Sequence, residues 1–371
     1  MSEKFHSVIE IFSVELWREI FEYFNSNELW YSFRDLNRRI DGIIDRTVLY
    51  LNFTKRGTYS YFMKNILSPM KVINIRSLKF TNSNEIQHFF SNFSLDSLIH
   101  LRLLSLKCMY SFNDNSFTFW NQLSSLKYLQ SLKIIFSGNQ VGSDNIIKEN
   151  EFIIRSIFNK DYCPLLKSLT INIDRTQSVM SLIPSLIPTT KVTNIKYLSL
   201  DSLTFNDFIK LLSALQNVKS FYIDSELCLD NESNEPQPNM TIIIPLLPKC
   251  TRLHVGLSND IMLEHVEYLL KHTPNLKDLF VWGWYHLLDA KRWKSLLSMQ
   301  CPKLKKFELI CSGPTDDNDF DQAIEDFERK CKKTPFWRQR NVSVEYVNGS
   351  DDDDSEIIFR FNIKKLKQRI K

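Results

Sequence analysis

One six-residue pattern recurs along the chain and constrains its fold more than any other feature. Apolar-x-x-apolar-x-apolar reads IRSLKF at 75–80, LIHLRL at 98–103, LQSLKI at 129–134 and LKSLTI at 166–171. It returns as IKYLSL at 195–200, VKSFYI at 218–223, LKDLFV at 276–281 and LKKFEL at 304–309, with a shorter copy, TRLHV, at 251–255. The last three positions of each copy alternate as a strand does, sending successive side chains to opposite faces. Copies follow one another at intervals from the low twenties to the high thirties in residues, the mark of a repeat array.

Between copies the periodicity changes to that of helices. FNDFIKLLSAL (205–215) puts Phe208, Leu211, Leu212 and Leu215 on one face, and DIMLEHVEYLLKHT (260–273) does the same with Leu263, Val266, Leu269 and Leu270. AKRWKSLLSM (290–299) and FDQAIEDFERKCKK (320–333) are further helical segments. Strand then helix, repeated, predicts an α/β fold in the form of a curved solenoid, strands concave and helices convex. Cys163-Pro164, Thr273-Pro274 and Cys301-Pro302 each stand just ahead of a repeat strand, where proline stops a helix and forces an extended start. The polar stretch 137–162 and the acidic, proline-bearing segment 226–240 interrupt the array as surface loops. NVSVEYVNG and SEIIFRFNI, flanking Asp351 to Asp354, read as a terminal hairpin that caps the last repeat.

The N-terminal segment, VIEIFSVELWREIFEYFNSNELWYSFRDLNRRIDGII at 8–44, is different. Leu16, Trp17, Ile20, Phe21 and Phe24 recur at helical spacing, with Ser13 placed to cap. Ser26 is placed to cap a second short helix carrying Leu29, Trp30 and Phe33, and a third runs from about Leu36 to Ile44. So small a unit cannot bury all these side chains in itself. Part of its apolar surface has to meet the rest of the chain or another protein.

This stretch resembles an F-box. The correspondence runs through Phe12, Ser13, Val14, Glu15 and Leu16, then Ile20, Phe21, Phe24, Leu29 and Phe33, and ends on LNRRI at Leu36 to Ile40. Phe12-Ser13 stands where the family usually has Leu-Pro. The array that follows resembles the irregular leucine-rich repeats of many F-box substrate receptors, and WKSLLSMQCPKLKKFEL followed by Phe336, Trp337 and Arg338 is similar to the end of large animal families of such proteins. The resemblance implies an F-box at 8–50, a linker at 51–70, a leucine-rich-repeat array at 71–335 and a capping hairpin with a basic tail at 336–371. It implies a non-catalytic subunit of a Skp–cullin–F-box ubiquitin ligase. Phe12, Leu16, Ile20, Phe21, Phe24, Leu29 and Phe33 would hold a Skp-type adaptor, and through it a cullin–RING scaffold. The repeats would hold an unknown protein substrate.

Composition narrows the rest. Only 8 glycines are present in 371 residues, which speaks against phosphate-binding glycine loops. No apolar run approaches the ~18 residues of a membrane span. Seven dispersed cysteines read as reduced thiols, placing the protein in the cytoplasm or nucleus. A net charge of +4 is too weak to indicate nucleic acid, although the tail KKLKQRIK (364–371) keeps that alternative in view. No catalytic motif, metal-ligand spacing or cofactor signature is present. His265 and His272 share a helix face, where a structural or solvent-facing role is expected rather than a metal pair. VWGWYH at 281–286 is the spot most open to a partner: Trp282, Trp284 and Tyr285 beside Gly283 could form a substrate platform, with core packing the competing expectation for Trp284. A repeat scaffold acting outside any ligase is the main alternative function.

Overall fold

A computed structural model of the chain describes residues 12–55, 57–66, 72–109, 122–136, 157–158, 162–173, 194–201, 203–229, 246–313 and 318–340. The expected terminal hairpin, the Asp351 to Asp354 run and the basic tail lie outside these residues, as do most of 137–162 and 230–240. The chain divides into two compact units. One comprises 1–149, 161–166 and 174–177, and the other 150–160, 167–173 and 178–371.

The first unit opens with α1 (Val14–Glu22), α2 (Ser26–Phe33) and α3 (Arg38–Ile44). Side-chain caps define each start. Ser13 accepts from the Leu16 N–H, Asn25 forms a capping box with Glu28, and Asn37 accepts from the Ile40 N–H. The cap of α2 is thus Asn25, and not Ser26 as expected. Then come β1 (Leu49–Phe53), α4 (Thr58–Tyr61), β2 (Ile75–Phe80), α5 (Ser83–Asn92), β3 (Leu103–Met109) and β4 (Ser131–Phe136). The strands pair in parallel in the order β1-β2-β3-β4. Leu51, Leu78, Leu104 and Leu132 form one lateral row, and Phe53, Phe80, Leu106 and Ile134 the next. All eight are buried.

This register corrects two readings. Leu104 pairs with Leu78 and Leu132, so the repeat copy is LRLLSL at 101–106 rather than LIHLRL at 98–103. Five leucines at 98, 101, 103, 104 and 106 satisfy the pattern in either frame. VLYLNF at 48–53 is a further copy, and it is β1, at the place where the F-box and the linker were expected to meet.

The second unit holds β5 (Ser168–Ile173), β6 (Tyr197–Leu200), the two-residue β7 (Leu203–Thr204), α6 (Phe205–Ala214), β8 (Ser220–Ile223) and the two-residue β9 (Leu227–Cys228). It continues with β10 (Arg252–Gly256), α7 (Leu263–Lys271), β11 (Asp278–Trp284), α8 (Ala290–Met299), β12 (Lys306–Ser312), α9 (Asn318–Lys333) and α10 (Pro335–Arg338). The main sheet runs β5-β6-β8-β10-β11-β12, all parallel. Leu169, Leu198, Phe221, Leu253, Leu279 and Phe307 form its central buried row.

Helices cover that face. Phe208 of α6 meets Phe221 at 4.8 Å between ring centroids, and Trp293 of α8 meets Phe307 at 4.9 Å. The Trp293 indole N–H donates to the Leu287 carbonyl, and that of Trp337 to the Ala290 carbonyl, so these buried rings also satisfy their polar atoms. Ahead of the strands a tight turn recurs, with the Leu276 N–H donating to the Thr273 carbonyl and that of Leu304 to the Cys301 carbonyl. Thr273 and Cys301 are buried beneath it.

The expectation of a three-helix F-box followed by a curved leucine-rich-repeat solenoid is corrected by this topology. In place of a curved stack, the strands form open parallel α/β sheet in chain order, four strands in the first unit and six in the second. A regular curve needs a constant strand-plus-helix repeat. Here β4 follows β3 with no α-helix among the described residues between them, only a 3-10 turn at Leu123–Ser125, whereas β11 and β12 are separated by the ten-residue α8. The N-terminal helices do not stand as a separate all-α module either. Ser26 is buried, and its hydroxyl accepts the Tyr50 N–H of β1 at 2.9 Å. Asn74 donates to the Asp45 carbonyl at the end of α3. These bonds join the helices to the first strands of the sheet.

Candidate functional site

Two surfaces carry the residues singled out above, one in each unit. In the first unit α1 is apolar on two sides. Trp17 and Phe21 point inward and are each 2% exposed. Around them Phe12, Phe24 and Phe33 complete a ring cluster, with Trp17 to Phe21 at 5.4 Å, Phe21 to Phe33 at 5.3 Å and Phe24 to Phe33 at 5.1 Å. Phe12 touches Trp17 at 5.8 Å, and its carbonyl accepts from Arg39 of α3. Leu29 is buried as well. Five of the seven expected adaptor-binding residues (Phe12, Phe21, Phe24, Leu29 and Phe33) are therefore partly or wholly spent inside the unit.

The outer stripe of α1 and its C-cap is Leu16, Ile20 and Tyr23, spaced i, i+4, i+7. Leu16 is 40% exposed, Ile20 is half-buried, and Tyr23 is 89% exposed. Leu36 adds a further exposed apolar side chain between α2 and α3. Arg34 fastens α2 to α3. Its guanidinium meets the Asp45 carboxylate at 2.6 Å and the Asp41 carboxylate at 3.7 Å, and it lies over the Trp30 ring.

In the second unit the sheet face opposite the helices is half-exposed. Lateral pairing puts Ser199, Tyr222, His254, Phe280 and Glu308 in one row across β6, β8, β10, β11 and β12. The three rings stack: Tyr222 to His254 at 3.9 Å and His254 to Phe280 at 3.8 Å. Burial between them pushes the His254 imidazole down to about 4, against the opposing pull of Asp224 and Glu308. The row has acidic groups at its margins, Glu308 in line and Asp224 one residue beyond β8, and Lys306 pairs with Glu308 at 3.2 Å.

Trp282 and Trp284 lie on this same face of β11, two residues apart, both half-buried. Trp282 pairs laterally with Gly256 and Ile310. A side chain at 256 would press on the Trp282 ring and on the Ser225 carbonyl, so glycine makes room for the indole. Tyr285 leaves the platform: it begins a 3-10 turn and packs on Phe320 of α9 at 5.5 Å.

Sequence reading passes over Tyr222 and Glu308, and weighs His254 only beside Cys250, as an improbable zinc pair. Each occupies the x between the last two apolar positions of its repeat copy, so aligning the copies by their strands brings these residues into one row. Cys250 and His254, one helical turn apart in number, do not converge. The buried Cys250 thiol donates to the Arg252 carbonyl, while His254 is in the ring stack. His265 is buried against Phe205, its Nδ1 accepting the Met262 N–H, and His272 bonds the Tyr268 carbonyl. Among the described residues no group of three or more His, Cys, Asp or Glu is placed to hold a metal ion, and no helix is long and apolar enough to cross a membrane. The chain matches no known protein-family model, and no curated protein matches it in sequence.

Proposed function

We propose that the chain is a non-catalytic recognition subunit of a Skp–cullin type ubiquitin ligase. The outer stripe of α1 holds the adaptor, and the open sheet face of the second unit holds the protein to be modified. The observation that carries this reading is the exposure of Leu16 and Tyr23 on a helix whose opposite stripe is already buried in aromatic packing. Contiguous exposed apolar surface rimmed by polar residues marks an interaction site, and a helix face laid in a groove is a common recognition mode. The resemblance of residues 12–40 to an F-box names the partner. Such a subunit acts by proximity, holding substrate lysines near a charged conjugating enzyme.

A second reading is favoured by the bonds that join these helices to the sheet, Ser26 to Tyr50 and Asn74 to Asp45. On that reading they complete the first unit, and the chain is a binding scaffold outside any ligase.

Co-purification with a Skp-type adaptor separates the two. The wild-type chain is compared with Leu16→Asp/Tyr23→Asp, both checked by circular dichroism. Complex formation by the wild type, lost in the folded double variant, is the expected result. A wild-type chain that forms no complex sinks the ligase reading and leaves the scaffold.

A further inference from the structure

We propose that the cleft on the open face of β1, β2 and β3 binds a phosphate-bearing ligand through Arg76, Lys79 and Arg102. The cleft has a volume of about 510 Å³, and these three cations line it together with Asn25, Tyr50 and Asn52. That volume is within the range of small-ligand sites, roughly 300 to 1,000 Å³. It lies wholly in the first unit and shares nothing with the ring row of the second.

The cations are set by the sheet. Lys79 pairs laterally with Asn52 on one side and Ser105 on the other. The Arg102 N–H donates to the Arg76 carbonyl at 2.8 Å, which places the two arginines on adjacent strands. One guanidinium nitrogen of Arg76 donates to the Ile73 carbonyl and orients the group. Among the described residues none of the three forms an ion pair. The carboxylates of α2 and α3 and of Asp45, which ends α3, are engaged elsewhere. Asp41 and Asp45 face Arg34, and Glu28 accepts the Asn25 N–H. Burial, and after it the Arg102 charge, draw the Arg76 guanidinium below its ordinary value.

Like charges held together without a counterion are an unfavourable arrangement that an anion relieves. Three positive charges match a doubly or multiply charged phosphoryl group better than a single carboxylate. Arginine pairs with phosphate oxygens in a planar, two-pronged geometry and lysine as a point charge. Asn25, Asn52 and the Tyr50 hydroxyl supply neutral polar contacts around them.

The test is isothermal titration calorimetry on the full chain with two probes. One is inorganic tripolyphosphate. The other is a short neutral peptide carrying one phosphoserine, run beside its unphosphorylated twin. Proteins are the wild type, Arg76→Gln/Arg102→Gln, and Lys291→Gln on α8 of the other unit as a control, all checked by circular dichroism. Saturable wild-type binding is expected, weakened by roughly tenfold or more in the double variant and unchanged in the control. Binding of tripolyphosphate alone assigns a free phosphate compound; binding of the phosphopeptide assigns a phosphorylated side chain. Should the double variant misfold, the exposed Lys79→Gln serves in its place and should show a smaller loss in the same direction. Absence of saturable binding to either probe, equal binding by the double variant, or equal binding of the unphosphorylated twin overturns the proposal.

Discussion

The His254 imidazole lies flat against the Phe280 ring, centroids 3.8 Å apart and planes within 14°. Tyr222 covers its other side at 3.9 Å. Water is excluded from both faces of the imidazole, and the charged form loses its hydration without gaining a close counterion. Asp224 and Glu308 act on it only from a distance, and Lys306 opposes them.

The sign of the pH dependence follows. His254 is held at about 4 in the folded chain, below its ordinary 6.5. Between these values the unfolded chain takes up a proton that the folded chain refuses, so stability falls as pH drops through this window. His265, lowered by burial, adds in the same direction. His254→Phe should therefore flatten the acid limb of stability without abolishing it. Urea midpoints at about pH 7, 5.5 and 4.5 test this. A variant slope equal to that of the wild type would show that the stacked imidazole is not the titrating group.

The two stripes of α1 should respond differently to truncation. Trp17→Ala and Phe21→Ala each empty part of the ring cluster and should cost about 3–5 kcal/mol. Leu16→Ala removes a side chain already 40% exposed and should cost less than about 1 kcal/mol. Hydrogen exchange across residues 12–50 resolves the contrast within the first unit. Equal destabilisation by Leu16→Ala and Phe21→Ala would mean that Leu16 is packed in solution.

Most strands are legible in the sequence because each buried row demands an apolar residue at every second position, and the repeat copies spell this out at Leu169, Leu198, Phe221, Leu279 and Phe307. Legibility fails where the local pattern permits two frames, as among the leucines of 98–106, and where a copy adjoins a segment of another character. VLYLNF follows directly on the opening helices, so β1 is absorbed into them. The row of Tyr222, His254, Phe280 and Glu308 is harder still. Its members are separated by 26 to 32 residues of chain and are joined only by lateral register, a property of the sheet rather than of any local segment. The inward turn of Phe21, Phe24 and Phe33 has the same origin: helical spacing identifies a face, and only packing decides which face is covered.

Thiol labelling gives a third test. Burial pushes the Cys163, Cys250, Cys301 and Cys331 thiols up to about 12, and that of Cys311 higher still. Thiolate is the reactive form, so a shift from 9.0 to about 12 lowers its population by roughly a thousandfold before access is considered. Cys228 is half-buried, at the end of β9. Under native conditions iodoacetamide should label Cys228 well before these five, and all should label together after urea unfolding. Peptide mass spectrometry over time reads the order. Early labelling of Cys301 or Cys311 would contradict the packing of β12 against α8.

Two glycines should answer to alanine with opposite signs. Gly42 lies inside α3 with open space where a Cβ would go. Alanine there lowers the entropy of the unfolded chain and favours the helix, so Gly42→Ala should stabilise by about 0.5–1 kcal/mol. At Gly256, the last residue of β10, a Cβ would collide with the backbone carbonyl of Ser225 and press on the Trp282 ring. The backbone carbonyl cannot turn aside as a side chain can, so the strand itself has to shift. Gly256→Ala should cost about 1–3 kcal/mol, as overpacking typically does. It should also displace Trp282 from its place beside His254 and Phe280. Tryptophan fluorescence and the thermal midpoint, read together, test both effects. A Gly256→Ala chain with unchanged stability and emission would refute the close approach of Ser225 and Trp282 on which the open face of the second unit depends.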